Sequence, residues 1–215
     1  MIVIGLSSSR LESKKIYSFL KKENDIYVNY ESDINKFSWY NSENIIINRI
    51  QYLEKKIYNN TSNKKNKFKA FGEVGFYMLP YLELLINNFP YLKFICSNKS
   101  RKKTYNDIVS DMTNEANFLL RLFLFRKKFK NHFIDHNGKK WKKDYILDKC
   151  YPKFGLNSLN SSIEKYIDLY YSEIKRIEKK YPNNLKVFYS DELKSKYGRK
   201  KILSFMESKW DTFIY

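Results

Sequence analysis

The chain has 215 residues, of which 43% are hydrophobic and 18% aromatic, which excludes a disordered tail and predicts a single folded domain over 1–215. Its 41 Lys and Arg against 23 Asp and Glu give a formal net charge of +18, which favours anionic partners such as phosphates, sulfates, polyanionic glycans or nucleic acid. A lysine-rich composition with a merely solvated surface gives the same excess, and both interpretations stay open.

Cysteine usage and hydropathy bound the compartment. Cys96 and Cys150 are far apart and form no CxxC or Cys/His cluster, which favours a reducing compartment and predicts no metal site. The opening run MIVIGL is too short for a signal peptide, and Arg121 interrupts the most apolar segment, FLLRLFLF. We therefore expect a cytoplasmic protein without a membrane partner.

The first half of the chain alternates short apolar runs with helical patterns. IVIG at 2–5 predicts a strand, and LESKKIYSFLKKE has helical spacing after the polar turn LSSSR. The elements predicted next are a strand at 25–31, a helix at 41–58 capped by Asn41 or Ser42, a loop at 59–67, a strand at 68–73, a helix at 81–89 with Pro80 as its candidate start, and a strand at 91–97. A strand, a helix and a strand within about thirty residues match a parallel βαβ unit.

The second half has longer helical patterns. A helix is predicted over 104–130, and the irregular stretch after it, at about 131–159, predicts a lid-like excursion. Ser161 and Glu164 form a capping box for a long helix that ends near Pro182, and a strand with a turn at 184–193 and a helix at 198–206 follow. The fold class is therefore α/β, a doubly wound parallel sheet flanked by helices.

The turn after the first strand is a candidate phosphate cradle. A strand that ends in glycine, followed by a polar turn and a helix, directs backbone N–H groups and the helix dipole at an anion. The candidates are Gly5, Ser7, Ser8, Ser9, Arg10 and Lys14. The triphosphatase loop GxxxxGK[ST] is absent, and a purely structural turn is the alternative.

A basic cluster follows the strand at 91–97. Lys99, Arg101, Lys102 and Lys103 stand together before a helix. Both this cluster and the serine turn would lie at the carboxyl edge of a parallel sheet, where ligands bind in such folds. A ligand with phosphates at two ends would fit them, and a solvated basic turn is the alternative.

Three stretches of the chain carry a resemblance to a known family. They are GEVGFYMLPYLELLINNFPYLKFICSNKSRKKT, NHFIDHNGKKWKKDYILDKCYPKF and SIEKYIDLYYSEIKRIEKKYPNNLKVFYSDEL, within about 69–206. They resemble the sulfotransferases of marine cyanobacteria and their phages (cyanophages). The resemblance implies a P-loop-like α/β fold and a metal-free reaction with 3'-phosphoadenosine 5'-phosphosulfate (PAPS) as co-substrate.

The resemblance implies positions for both ends of PAPS. GLSSSRLES stands where the family cradles the 5'-phosphosulfate, but it lacks the family's second glycine. Lys99 stands at the family's arginine for the 3'-phosphate, with Arg101 close by. The family's phosphate-binding serine falls on Asp107, which would repel a phosphate, and Ser110 lies one turn further on.

The resemblance also implies a general base. Glu73 follows a strand and stands seven residues before Pro80, the place of the base in many sulfotransferases. A carboxylate there would take the acceptor proton, and Arg10 or Lys14 would stabilise the departing phosphate. The structural alternative is that Glu73 caps the following turn or pairs with a buried lysine.

These patterns predict a PAPS-dependent sulfotransferase that acts on a hydroxyl or amine of a small molecule or glycan. The alternative is a catalytically degenerate relative that binds a nucleotide or polyanion without turnover. A third alternative is a basic nucleic-acid binder, which the net charge favours; because no recognition motif accompanies the charge, nucleic acid is not an expected partner. The sequence carries no signal for the oligomeric state.

Overall fold

Five short strands, each with branched or aromatic residues, alternate with helices along the chain. The computed structural model describes residues 1–30, 43–62, 68–110 and 159–208. In chain order the elements are β1 (Ile2–Leu6), α1 (Arg10–Lys21), β2 (Ile26–Tyr30), α2 (Glu43–Ser62), β3 (Ala70–Val74), a 3-10 turn (Phe76–Tyr81), α3 (Leu82–Asn88), β4 (Lys93–Asn98), α4 (101–110), α5 (Leu159–Lys180), β5 (Leu185–Tyr189), a second 3-10 turn (Glu192–Lys194) and α6 (Lys196–Glu207).

The strands form one parallel sheet in the order β2-β3-β1-β4-β5. The register pairs Ile4 with Glu73 on one side of β1 and Gly5 with Ile95 on the other. β1 and β3 are buried at every residue and the outermost β2 and β5 only in part, as expected for a parallel sheet covered on both faces. The prediction of an α/β parallel sheet flanked by helices is confirmed, and the strand order is compatible with a P-loop-like fold.

Alternate residues of each strand point to opposite faces of the sheet and divide the core in two. On one face, Ile4 and Phe94 pack with apolar residues of α2, α3, α4 and α5. On the other face, Val3 and Ile95 pack with α1 and α6. We call these the α2 face and the α1 face.

All five predicted strands are present, but several predicted boundaries are wrong. The loop predicted at 59–67 is helical through Ser62, and Ile57, two residues before the predicted loop, packs against the core. Pro80 lies inside the 3-10 turn rather than at the start of α3.

Two further helices begin earlier than predicted. α4 begins at residue 101, because the amide of Thr104 donates to the Ser100 carbonyl (2.9 Å) and closes the first turn there. Arg101, Lys102 and Lys103 therefore lie in a helix and not before one. α5 begins at Leu159, so Ser161 lies within its first turn and not at its cap.

Several predictions fall on residues that the structure does not describe. The lid-like excursion at about 131–159 lies outside the described residues except for Leu159. The caps Asn41 and Ser42, the helix beyond residue 110 and Cys150 also lie outside them. A single domain over 1–215 therefore stays a prediction.

Candidate functional site

The candidate site lies where the carboxyl ends of β1 and β4 meet. The two strands are neighbours, yet the chain leaves β1 for the α1 face and leaves β4 for the α2 face. Ligands in open α/β sheets bind in the crevice that such a divergence opens. The serine turn follows β1 at this edge, and Lys99 with the first residues of α4 follows β4.

The serine turn is buried and bonded to itself. Ser7 Oγ donates to the Ser9 carbonyl (2.7 Å) and lies 2.6 Å from Ser13 Oγ. Ser9 is the N-cap of α1, and its Oγ accepts from the amide of Glu12 (3.4 Å). These bonds fix the shape of the turn at the positive end of α1.

Gly5 serves close packing rather than an unusual backbone conformation. A Cβ on Gly5 would come within 2.7 Å of Ile16 Cγ2 and 2.9 Å of Val74 Cγ2. The glycine therefore lets α1 lie directly against the sheet, and this sets the position of the serine turn.

The two predicted cations of α1 are placed differently. Arg10 is the first residue of the helix and half-buried beside the serine turn, and its carbonyl accepts from the Tyr30 hydroxyl (3.5 Å). Lys14 is exposed and lines a groove towards residues 193–199. The structure therefore brings Arg10 to the turn and does not bring Lys14 there.

Lys99 follows β4 and lies between two carboxylates. Its Nζ is 2.5 Å from Asp107 Oδ2 and 3.6 Å from Glu12 Oε1, and its side chain is 19% exposed. Partial burial lowers the pKa of Lys99, but the hydrogen bond to Asp107 and the nearby charges outweigh it, so the net pKa is raised. The sequence led us to expect that Asp107 would repel a phosphate. In the structure Asp107 instead pairs with Lys99, the residue expected to bind that phosphate.

Glu12 is a site residue that the sequence analysis missed. Its carboxylate is completely buried, and Oε1 accepts from Lys15 and faces Lys99, whereas Oε2 has no hydrogen-bond partner among the described residues. Lys15 also donates to Ser190 Oγ (2.9 Å). The signal was present, since Ser9 and Glu12 form the S-x-x-E pattern of a capping box.

Arg101 shares a cavity with Lys99. The cavity, of about 560 Å³, lies between the ends of β4 and β5 and α5, and it is also lined by Tyr171 and Tyr189. Arg101 pairs with Asp168 of α5, and both side chains are more than half exposed. Ser110 is exposed on α4, one turn beyond Asp107, and does not line this cavity.

Tyr170 of α5 bridges the two strand ends. Its hydroxyl lies 2.8 Å from the Ser97 carbonyl and 3.2 Å from the Leu6 carbonyl. Burial raises the pKa of Tyr170 well above its usual value, so the phenol keeps its proton and stays a donor. A side chain of α5 therefore connects the carboxyl ends of β1 and β4 on the α2 face.

Tyr171 of α5 contacts both the serine turn and the segment that follows β4. Its hydroxyl donates to the Lys99 carbonyl (2.8 Å) and lies 2.7 Å from Thr104 Oγ1 and 3.5 Å from Ser8 Oγ.

In the sequence Tyr170 matched only the apolar stripe of an amphipathic helix. Helical spacing indicates that such a residue faces inward, but not which carbonyls its hydroxyl reaches.

Glu73 lies near the end of β3 in a closed ion pair. Its Oε2 accepts from Arg49 Nε (2.8 Å) and its Oε1 from Arg49 Nη2 (3.0 Å). The carboxylate has 0% exposed surface and the Arg49 side chain 5%. Arg49 comes from α2, so Glu73 faces the α2 face, whereas the serine turn leads to the α1 face. The alternative to catalysis named a buried lysine as partner, and the partner is an arginine.

Comparisons with known proteins add no relatives, because no family model and no curated protein sequence matches this chain.

None of the described helices is long and apolar enough to cross a membrane. No group of three or more His, Cys, Asp or Glu in the described ranges is placed to hold a metal ion.

The structure thus places Ser7, Ser8 and Ser9, with Arg10 beside them, and Lys99 at the carboxyl ends of neighbouring strands, with Arg101 in the cavity beside Lys99. It places Lys14 and Ser110 elsewhere on the surface and Glu73 beneath α2. Hydroxyls, a helix N-terminus and cations at this spacing suit a ligand with two anionic ends.

Proposed function

We propose that the chain is a cytoplasmic PAPS-dependent sulfotransferase that moves a sulfuryl group to a hydroxyl or amine of a small-molecule or glycan acceptor. One observation carries the proposal: the serine turn and the Lys99–Arg101 segment follow the neighbouring strands β1 and β4, and the Tyr171 hydroxyl contacts both. The resemblance of the sequence supplies the identity of the ligand. The strand order and the carboxyl-edge position are those expected of a nucleotide site in a P-loop-like sheet.

In this proposal the two anionic ends of PAPS take different loops. The 5'-phosphosulfate binds at the serine turn, where the N-terminus of α1 and Arg10 offset its charge. The 3'-phosphate enters the cavity that Lys99 and Arg101 line. Binding there requires each cation to exchange its carboxylate partner, Asp107 or Asp168, for the phosphate. Lys14 and Ser110 take no part, because they lie outside the crevice and the cavity.

Transfer itself needs a base and an in-line geometry. The acceptor loses its proton to Glu73 as its oxygen or nitrogen bonds to sulfur, the bond from sulfur to the 5'-phosphate breaks, and 3'-phosphoadenosine 5'-phosphate leaves. Arg10 stabilises the charge that develops on the departing phosphate. Glu73 can act only after Arg49 releases it and the carboxylate, which has no exposed surface, becomes accessible from the serine turn.

The closed Arg49–Glu73 pair also favours a second candidate, a protein that binds the nucleotide at the same crevice without turnover. A carboxylate that never leaves its arginine serves the stability of the sheet and not catalysis. The two candidates share the binding site and differ in the fate of the ligand.

Calorimetric titration tests the shared site. We expect 3'-phosphoadenosine 5'-phosphate to bind more tightly than AMP, because only the former carries the 3'-phosphate. Lys99→Ala should weaken that binding at least about tenfold, or about 1.4 kcal/mol. Lys179→Ala, which removes an equal charge from the exposed end of α5, should leave it unchanged. Equal weak binding of both nucleotides would exclude a PAPS site.

Turnover separates the two candidates. The purified protein is incubated with PAPS and a mixture of hydroxyl and amine acceptors, and release of 3'-phosphoadenosine 5'-phosphate is followed. The sulfotransferase proposal expects acceptor-dependent release that Glu73→Gln abolishes while nucleotide binding remains. Tight binding without release in any acceptor class would support the binding protein.

A further inference from the structure

A second basic feature lies on the α1 face, away from the candidate crevice. A groove of about 570 Å³ runs between α1 and the segment that leads from the 3-10 turn into α6. We call it the α1–α6 groove. Its cationic lining residues are Lys14, Lys15, Lys22, Lys194, Lys196 and Arg199.

Cations make up a larger fraction of the residues that line the groove than of the whole chain. Six of its ten described lining residues are cations and none of them is acidic, whereas 41 of 215 residues in the chain are Lys or Arg. Two of the six are engaged, Lys15 with Glu12 and Arg199 with Glu23. The other four are exposed, and no hydrogen bond or ion pair joins them to another described side chain. Like charges that line one groove repel one another, and a bound anion would relieve that repulsion.

The α6 wall of the groove is rigidly built. Ser195 is the N-cap of α6 and its Oγ accepts from the amide of Gly198 (2.9 Å). A Cβ on Gly198 would lie 2.1 Å from the Glu192 carbonyl oxygen, so the turn is tightly packed. Glu192 accepts from the Tyr189 amide (2.6 Å) and from Lys201 (2.7 Å). Lys194 and Lys196 are therefore presented from a fixed turn at the positive end of a helix.

The lining also limits the class of ligand. The volume is that of a small-molecule site. The one aromatic residue among the described lining residues, Phe19, is 6% exposed and offers no open ring on which a base would stack. Recognition in the groove therefore relies on charge.

We propose that the α1–α6 groove binds a compact, multiply charged phosphate anion, a short polyphosphate chain, at a site separate from the nucleotide crevice. The four exposed lysines contact its phosphoryl oxygens from the two walls. The N-terminus of α6 contributes its dipole at one end. This site does not depend on the proposed transferase activity.

The test is titration with inorganic tripolyphosphate near physiological salt, with charge-matched variants. Lys14→Glu with Lys194→Glu changes one lysine on each wall. Lys55→Glu with Lys179→Glu makes the same change in net charge on exposed positions of α2 and α5. We expect the first pair to weaken binding at least about tenfold and the second pair to weaken it less than about threefold. Thermal unfolding of both variants checks that they are folded.

Three results would overturn the proposal. Equal weakening by both double variants would mean that the field of the whole chain binds the anion. Loss of tripolyphosphate binding in Lys99→Ala would place the anion in the crevice instead. Tighter binding of a single-stranded oligonucleotide than of tripolyphosphate, with the same dependence on Lys14 and Lys194, would make nucleic acid the ligand.

Discussion

Pairs of opposite charges stand at the ends of both β3 and β4, but the pair at β3 is buried and those at β4 are partly or largely exposed. At β3, Glu73 and Arg49 form two hydrogen bonds with almost no exposed surface. At β4, Lys99 is 19% exposed between Asp107 and Glu12, and Arg101 pairs with Asp168 in the open. Burial therefore decides which charges can respond to a ligand. The proposed function requires the cations at the β4 end to exchange a carboxylate for a phosphate, whereas at the β3 end a buried ion pair would first have to separate.

The largest expected effect is on the closed pair. Arg49→Met leaves the Glu73 carboxylate buried without its guanidinium, and we expect a loss of about 3–5 kcal/mol in the free energy of unfolding. Urea denaturation measures it. Arg49→Met combined with Glu73→Leu removes both charges and should recover most of the loss. A single-variant loss below about 1 kcal/mol would show that the β3 end is not closed.

The next largest effect on stability is expected in β1, which lies between β3 and β4 in the sheet. Gly5→Ala places a Cβ against Ile16 and Val74, and we expect overpacking to cost about 1–3 kcal/mol in unfolding free energy. Because Gly5 sets the distance of α1 from the sheet, nucleotide binding should weaken as well. Val74→Ala in the same chain removes the contact at 2.9 Å and should restore part of both. Additive losses in that double variant would contradict this role of Gly5.

A smaller effect with the opposite sign is expected at the open end. Glu12→Gln removes one of the two carboxylates that face Lys99, so affinity for 3'-phosphoadenosine 5'-phosphate should rise about threefold to tenfold, or about 0.7–1.4 kcal/mol. Calorimetry measures the change, and Glu207→Gln at the end of α6 is the matched control. Unchanged or weaker binding would leave Glu12 as the partner of Lys15 alone.

The smallest effect is at the exposed pair. Asp168→Asn removes the partner of Arg101, and since both side chains are more than half exposed, the unfolding free energy should change by less than about 1 kcal/mol. Urea denaturation beside Arg49→Met compares the two pairs directly. A loss comparable to that of Arg49→Met would remove the contrast between the two strand ends.

The strands were predictable because each contains branched or aromatic apolar residues within a short segment that ends near a polar, glycine or proline residue, as IVIG ends at Gly5. The serine turn was predictable for the same local reason, since it directly follows a strand and precedes a helix. The partners of these residues were not. Lys15 meets Ser190 across 175 residues of sequence, and such a contact depends on the order of the strands.

Glu73 shows the same limit, because its place in the chain could be predicted and its partner could not. Its position near the end of β3 followed from the pattern, whereas its partner Arg49 looked like one more polar residue of a helix. Periodicity places a residue on one side of a helix, but an arginine near the apolar side becomes an ion-pair partner only when a buried acid lies opposite it.

The most direct test of the proposed nucleotide site is a crystal structure of the protein with 3'-phosphoadenosine 5'-phosphate. The proposal expects the 5'-phosphate at the serine turn beside Arg10 and the 3'-phosphate within hydrogen-bond distance of Lys99 Nζ, which would have left Asp107. A nucleotide found only in the α1–α6 groove, or an unchanged Lys99–Asp107 pair beside a nucleotide bound elsewhere, would contradict it.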